Sequence, residues 1–94
     1  MSQATPPCVL TIAGSDSCAG AGIQADLKTF AAHGVYGLCA VTAVTAQTGN
    51  DVTRIQAVDP ETISAQVRAL SRTYEIAALK TGMLANEANV RAGA

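Results

Sequence analysis

The order of apolar and polar positions along the chain predicts strands that alternate with helices. Three segments have an apolar core and predict strands. The longest of them, residues 35–47, lacks polar alternation, which is typical of a central strand covered on both faces of a sheet. A fourth segment alternates imperfectly and predicts a shorter strand. The predicted strands are residues 8–13, 35–47, 52–58 and 75–80.

Two segments between these strands carry helical patterns with boundary signals. In the first, residues 21–33, apolar residues recur at i, i+4, i+7 and i+8 from Ile23, and Gly34 is suited to end the helix. The second, residues 60–73, follows a capping aspartate, Asp59, and begins with a proline. Both segments therefore predict helices with defined ends.

This order of elements predicts an α/β fold with a parallel sheet and helices on its faces, followed by the start of another helix at Asn86. Residues 1–7 are expected to be a flexible lead-in, because Pro6 and Pro7 cannot donate to a sheet ladder. Three or four strands make only part of such a sheet. We therefore expect residues 8–94 to be one half of a larger domain, or to be completed by a partner.

Composition excludes several classes of function. The 94 residues have a net charge of −1 and scattered basic residues, which argues against nucleic acid as the partner. No apolar run is long enough for a bilayer span, and the N-terminal residues do not form a secretory signal. Cys8, Cys18 and Cys39 lack the spacing of a zinc site or a disulfide framework, which favours reduced thiols and a cytoplasmic location.

The segment between the first strand and the first helix, GSDSCAGAG, carries the candidate chemistry. A P-loop is excluded, because no Gly-Lys-Ser/Thr is present. A dinucleotide fingerprint, G-x-G-x-x-A, begins at Gly20, but six residues separate it from the strand and the second strand ends without an acidic residue. A pocket for a small molecule at the carboxyl ends of the strands is the preferred interpretation.

Three strand ends are expected to supply polar groups to this pocket. They contribute Gly14, Ser15 and Asp16, then Thr45 and Gln47, then residues 80–83. The Gln47 amide offers a donor and an acceptor, which can pair with the edge of an amidine. Asp26, one turn into the helix, is a candidate for the same pocket.

Other roles remain open for the same side chains. Asp16 is equally suited to be a turn or capping residue, Gln47 a solvated side chain, Met83 a core residue and Lys80 a surface charge. Cys18 and His33 are assigned no chemistry. Residue types alone predict an α/β ligand-binding half-domain.

The motifs TIAGSDSCAGAGIQADLKTF, HGVYGLCAVTAVTAQ and LKTGML closely resemble the N-terminal half of the hydroxymethylpyrimidine/phosphomethylpyrimidine kinases, members of the ribokinase-like superfamily. The resemblance covers about residues 9–84, and pyridoxal kinases share parts of it. It implies a three-layer αβα fold with a partial parallel sheet. It also implies phosphorylation of 4-amino-5-hydroxymethyl-2-methylpyrimidine and its monophosphate by ATP and Mg²⁺, in thiamine biosynthesis.

The resemblance also implies the substrate-binding residues. Gln47 matches the glutamine that binds the aminopyrimidine edge, and Met83 matches a methionine against the ring. Gly14, Ala21 and Asp26 match residues around the substrate, while Thr45 stands where the family often has valine. No catalytic residue and no metal ligand is expected in this chain.

Members of this family are much longer, and their C-terminal half carries the ATP site and the anion hole. We therefore expect the 94-residue chain alone to be inactive as a kinase. A non-catalytic pyrimidine-binding module and a truncated, inactive product are the alternatives. The expected partners are a small-molecule aminopyrimidine and either further copies in a homo-oligomer or a complementing C-terminal half, without nucleic acid or membrane.

Overall fold

The computed structural model describes residues 6–48 and 51–82, which form one four-stranded sheet with two helices. In chain order the elements are β1 (Cys8–Ser15), α1 (Gly22–Ala32), β2 (Tyr36–Thr48), β3 (Asp51–Ala57), α2 (Pro60–Thr73) and β4 (Ile76–Thr81). The strand order in the sheet is β3-β2-β1-β4. Each element lies within two residues of its predicted bounds.

The sheet is mixed rather than parallel. β1 pairs in parallel with β2 and β4, but β3 runs antiparallel to β2. The prediction of a parallel sheet is therefore wrong for β3. Only Gly49 and Asn50 separate β2 from β3, and so short a connection joins antiparallel neighbours, since parallel strands need a crossover of a dozen residues or more.

The main core lies between α2 and one face of the sheet. It contains Leu10 and Ile12 of β1, Leu38 and Ala40 of β2, and Ile63 of α2, each of them buried. These strand residues are two positions apart, so their side chains point to the same face. Burial of this apolar face holds α2 against the centre of the sheet.

The opposite face of the sheet is covered by α1. Leu27 and Phe30 pack over β2 at Gly37, where an added Cβ would lie 2.6 Å from the Leu27 side chain. Thr11 alternates with the core positions of β1 and donates a hydrogen bond to Asp26 of α1. The two helices therefore lie on opposite faces, which gives the three-layer αβα arrangement that the resemblance implies.

The boundaries of the helices follow their predicted local signals. The Asp59 side chain accepts a hydrogen bond from the N–H of Thr62, and Pro60 is the first residue of α2. α1 ends just before Gly34, whose φ of +73° is the left-handed conformation expected of a residue that ends a helix. Both signals are local to the chain, so they could be recognised without the tertiary fold.

The outer strand β4 has few neighbours among the described residues. It is exposed along most of its length, and Leu79 is 54% exposed. Neither described helix is long and apolar enough to cross a membrane. The predicted helix at Asn86, the residue Met83 and residues 1–5 of the predicted lead-in lie outside the described residues.

Candidate functional site

A cavity of about 300 Å³ opens at the carboxyl ends of β1, β2 and β4, beside the start of α1. It is lined by Ala13, Gly14, Ser15, Asp16, Ala21, Gly22, Thr45, Gln47, Lys80 and Gly82. Open α/β sheets bind their ligands at this edge, and ligand pockets have volumes of roughly 300–1,000 Å³. The cavity is therefore sized for one small, ring-sized molecule.

Four of the predicted substrate-binding residues line this cavity, namely Gly14, Ala21, Thr45 and Gln47. Asp26 is not among the lining residues. Its carboxylate instead lies 2.6 Å from the ammonium of Lys80, which does line the cavity. Met83 lies outside the described residues. The structure thus brings the strand ends and the loop together, and it connects Asp26 to the cavity through Lys80.

The loop that forms one wall of the cavity is organised by the carboxylate of Asp16. It accepts hydrogen bonds from the backbone N–H groups of Cys18 at 2.9 Å, Gly20 at 3.0 Å and Ala21 at 2.8 Å. Gln24 of α1 accepts from the Asp16 N–H at 2.9 Å. Asp16 is only 6% exposed. Of the two roles left open for it, the turn and capping role is therefore present, and Asp16 lines the cavity as well.

These hydrogen bonds bear on the dinucleotide interpretation. The N–H groups of Gly20 and Ala21 belong to the fingerprint, and both are already bonded to Asp16. Ala21, the N-cap of α1, makes no side-chain capping bond, so the Asp16 carboxylate takes the place of a cap. A carboxylate at this position repels a pyrophosphate. The loop is therefore not suited to bind the pyrophosphate of a dinucleotide.

The end of β2 is tied to this loop by two side chains. Thr45 donates from its hydroxyl to the Ser15 carbonyl at 2.7 Å. The Ser17 hydroxyl donates to the Gln47 carbonyl at 2.5 Å and accepts from the Gln47 N–H at 2.7 Å. The backbone of Gln47 is thus held in place, and its side-chain amide is left at the cavity wall beside Asp16.

Behind the opposite wall, three polar side chains form a chain of hydrogen bonds. Lys80 donates to Asp26 Oδ1 at 2.6 Å, and Thr11 donates to Asp26 Oδ2 at 2.6 Å. Thr11 is fully buried, while the Lys80 side chain is 51% exposed. Both carboxylate oxygens of Asp26 are therefore engaged, one from the core and one from the cavity side.

The surroundings lower the pKa of both carboxyls of the site. For Asp16, the backbone N–H of Cys18 lowers the pKa most; burial opposes this, and Ala21, Gly20 and the Gln47 amide add to it. For Asp26, burial acts to raise the pKa, but the hydrogen bonds from Lys80 and Thr11 and the charge of Lys80 outweigh it. Both groups are therefore carboxylates at neutral pH, so they only accept hydrogen bonds.

These lowered pKa values predict a loss of stability in acid. Asp16, Asp26 and the capping Asp59 all have pKa values below the ordinary 3.8 in the folded chain. Each group stabilises the fold above its unfolded pKa, and that contribution disappears as the pH falls through the folded pKa. We expect the urea midpoint to be steady from about pH 7 to 5 and to fall below about pH 4. Urea unfolding followed by circular dichroism across this range is the test. A midpoint that rises on acidification would contradict it.

The described residues do not assemble a metal site. Within residues 6–48 and 51–82, no group of three or more His, Cys, Asp or Glu side chains is placed to hold an ion. The fingerprint N–H groups that could bind phosphate are bonded to Asp16. Within this part of the chain, the described side chains and the engaged N–H groups do not fit Mg²⁺ or nucleotide phosphates.

Sequence reasoning missed the contacts that join distant segments. It assigned no role to Thr11 or Ser17, and Lys80 was given a surface charge as its ordinary role. Lys80 and Asp26 are 54 positions apart in the chain. The only available signal was the place of Lys80 at a strand end, which marks the edge of the sheet and says nothing of its partner.

Solved structures share this fold and define its class. The phosphomethylpyrimidine kinase of Clostridium difficile 630 matches with a TM-score of 0.88 and 42% identity, over 92% of this chain and 37% of that one. The pyridoxal kinase of Staphylococcus aureus, solved in complex with AMP-PCP and pyridoxal, matches with a TM-score of 0.79 and 40% identity, over 92% of this chain and 32% of that one. The fold is thus that of the ribokinase-like small-molecule kinases.

Sequence comparison identifies the family. Residues 16–94 match the profile of the family described as phosphomethylpyrimidine kinase. The hydroxymethylpyrimidine/phosphomethylpyrimidine kinase of Synechococcus elongatus is 58% identical over 80 residues, which are 85% of this chain and 30% of that protein. The chain belongs to the phosphomethylpyrimidine kinase family. It spans about 30% of the length of this relative.

Proposed function

We propose that this chain is the pyrimidine-binding part of a kinase that phosphorylates 4-amino-5-hydroxymethyl-2-methylpyrimidine and its monophosphate in thiamine biosynthesis. The observation that carries the proposal is the position of the Gln47 amide on the wall of a cavity of about 300 Å³. Membership of the family supports the reaction and the class of substrate.

The chemistry of Gln47 matches the edge of an aminopyrimidine. Such a ring presents a nitrogen acceptor beside an amino donor, and an amide presents a donor beside an acceptor. Because the neighbouring Asp16 is a carboxylate that only accepts, it favours the amide with its NH₂ group on the Asp16 side. The amide oxygen and one N–H then remain for the ligand. Asp16 and Gln47 together thus select an amidine-like edge.

We further propose ATP as the phosphoryl donor, with Mg²⁺ at its phosphates. The Staphylococcus aureus pyridoxal kinase, solved with the ATP analogue AMP-PCP, supports the first part. The described residues do not fit the nucleotide or the metal, and no step of phosphoryl transfer is assigned to them. Their contribution is to bind and orient the ring, which is a large part of catalysis in this kind of reaction.

Binding of the ring is tested by calorimetry with the 94-residue chain and 4-amino-5-hydroxymethyl-2-methylpyrimidine. We expect Gln47→Ala to weaken binding by about 10- to 100-fold, because two hydrogen bonds to the ring are lost. Gln56→Ala is the matched control, since Gln56 is an exposed amide on β3 that does not line the cavity. Equal losses in the two variants, or no binding by the unaltered chain, would overturn the proposed site. Pyridoxal as a second ligand measures the preference between the two ring types.

Kinase activity requires a separate experiment. This chain can replace the matching segment of the Synechococcus elongatus kinase, to which it is 58% identical. We expect the chimera to form ADP in the presence of the pyrimidine, and the Gln47→Ala chimera to require a higher concentration of it. A chimera that binds the pyrimidine without turnover would favour the alternative, a non-catalytic pyrimidine-binding module.

A further inference from the structure

One cationic side chain stands among the described residues that line the cavity. Lys80 lies near the end of β4, and its side chain is half exposed. The rest of the lining consists of small residues, hydroxyl groups, the Gln47 amide and the Asp16 carboxylate. Lys80 is therefore the strongest hydrogen-bond donor on this part of the wall.

The position of the Lys80 ammonium is determined by two other residues. Asp26 accepts from it at 2.6 Å, and the side chain of Asp26 is only 13% exposed. Thr11, fully buried in the central strand, donates to the second oxygen of the same carboxylate at 2.6 Å. A long, flexible lysine side chain is in this way anchored to the rigid centre of the sheet.

The pair of Lys80 and Asp26 offers hydrogen-bond donors to the cavity but carries little net charge. An ammonium has three N–H donors, and one of those of Lys80 is bonded to Asp26. The carboxylate of Asp26 balances the positive charge of Lys80, and the nearby Asp16 adds a negative charge to the wall. The site therefore offers directed hydrogen bonds rather than a strong positive potential.

We infer that Lys80 donates a hydrogen bond to an oxygen on the substituent of the bound ring, a hydroxyl or a phosphate-ester oxygen, and that Asp26 and Thr11 position it. The inference rests on the proposed function and adds a specificity residue to it. Gln47 recognises the edge of the ring, and Lys80 distinguishes rings that carry an oxygen substituent from rings that do not.

Lys80 and Gln47 stand on strands that are separated by β1. In the sheet register Lys80 lies opposite Thr11, which pairs with Cys39 of β2, eight positions before Gln47. Contact of both residues with one ligand therefore depends on their long side chains, and both residues line the same cavity of about 300 Å³.

Calorimetry with two neutral probes tests the contact in the 94-residue chain. The probes are 4-amino-5-hydroxymethyl-2-methylpyrimidine and 4-amino-2,5-dimethylpyrimidine, which lacks the oxygen. We expect Lys80→Met to weaken binding of the hydroxymethyl compound by about 5- to 10-fold and that of the dimethyl compound by less than about twofold. Lys80→Arg, which keeps a donor, is expected to recover most of the affinity. Lys28→Met is the matched control, a lysine of α1 outside the cavity lining.

Asp26→Asn separates positioning from charge, with the pyrimidine monophosphate as a third probe. The variant loosens Lys80 and removes its counter-charge. We expect binding of the hydroxymethyl compound to weaken by about threefold, because the donor is no longer held. Binding of the monophosphate is expected to strengthen, because the unpaired ammonium attracts the phosphate. If the role of Asp26 is purely structural, Asp26→Asn weakens the binding of both ligands by the same factor.

The outcomes separate the inference from the proposed function. If Lys80→Met weakens the binding of the hydroxymethyl and dimethyl compounds equally, Lys80 does not contact the oxygen. The inference then fails, and the proposed function stands. If the unaltered chain binds none of the three probes, both fail. If Asp26→Asn alters the two oxygen-bearing ligands in the same direction and by the same factor, the positioning role fails. Thermal melts of each variant identify any loss of fold.

Discussion

Replacement of Gly22, the first residue of α1, by alanine is expected to destabilise the chain by about 3 kcal/mol or more. Gly22 has a φ of +65°, which costs a residue with a Cβ about 1–2 kcal/mol. The added Cβ would also overlap the carbonyl oxygen of Gly14 and lie 3.2 Å from the Asp16 N–H nitrogen. Gly14 is buried in β1, so its backbone has no room to move away from the added Cβ.

Gly34→Ala is the control that isolates this overlap. Gly34 has a similar φ of +73°, but nothing lies within 4 Å of an added Cβ. We expect it to cost about 1 kcal/mol, from the backbone strain alone. Urea unfolding of the two variants gives the difference directly. Equal losses would mean that the close approach of Gly22 to Gly14 contributes nothing to the fold.

The second large effect is expected from Asp16→Asn, which retains the shape of the side chain and removes its charge. One carboxylate oxygen accepts from Cys18 and the other from Gly20 and Ala21, so an amide must turn its NH₂ group toward a backbone N–H on one side. The loop then rearranges, and Gln47 loses the neighbour that orients its amide. We expect the affinity for the hydroxymethylpyrimidine to fall by at least about tenfold.

Asp59→Asn provides the comparison for Asp16→Asn. Asp59 also accepts a backbone N–H in the folded chain, but it caps α2 and does not line the cavity. Its replacement is expected to leave the affinity unchanged. The backbone amide signals of Cys18, Gly20 and Ala21 in NMR spectra show whether the loop has moved. Unchanged affinity in Asp16→Asn would exclude a role for this carboxylate in forming the site.

Much of the fold is encoded in short stretches of sequence. Ile23 and the apolar residues that follow it define α1, and Asp59 with Pro60 defines the start of α2. Strands β1 and β2 are recognisable because a strand covered on both faces has an apolar core without alternation. β4 has a similar apolar core, although most of it is exposed among the described residues. The prediction of a parallel sheet, made from the order of the elements, is wrong for β3, because the two-residue connection of Gly49 and Asn50 is too short for a parallel crossover.

The polar network of the site could not be predicted in the same way. The types of Asp16 and Gln47, and their places at strand ends, marked the edge of the sheet where a ligand binds. The hydrogen bonds between side chains of the site and distant segments carry no such mark in the sequence. Thr45 bonds to Ser15 across 30 positions, and Lys80 bonds to Asp26 across 54. Such pairs depend on strand register, and a shift of one residue would turn each side chain to the other face.

Local periodicity, caps and motifs are enough to define the elements, their order, the family and the edge of the sheet that carries the cavity. Only the packed fold shows that Asp26 is bonded to Lys80 rather than lining the cavity, and that Ser17 holds the backbone of Gln47 across 30 positions. Hydrogen bonds and ion pairs act over a few ångströms in space, whatever the separation of the residues in sequence. Only packing of the sheet and its helices brings these groups within that distance.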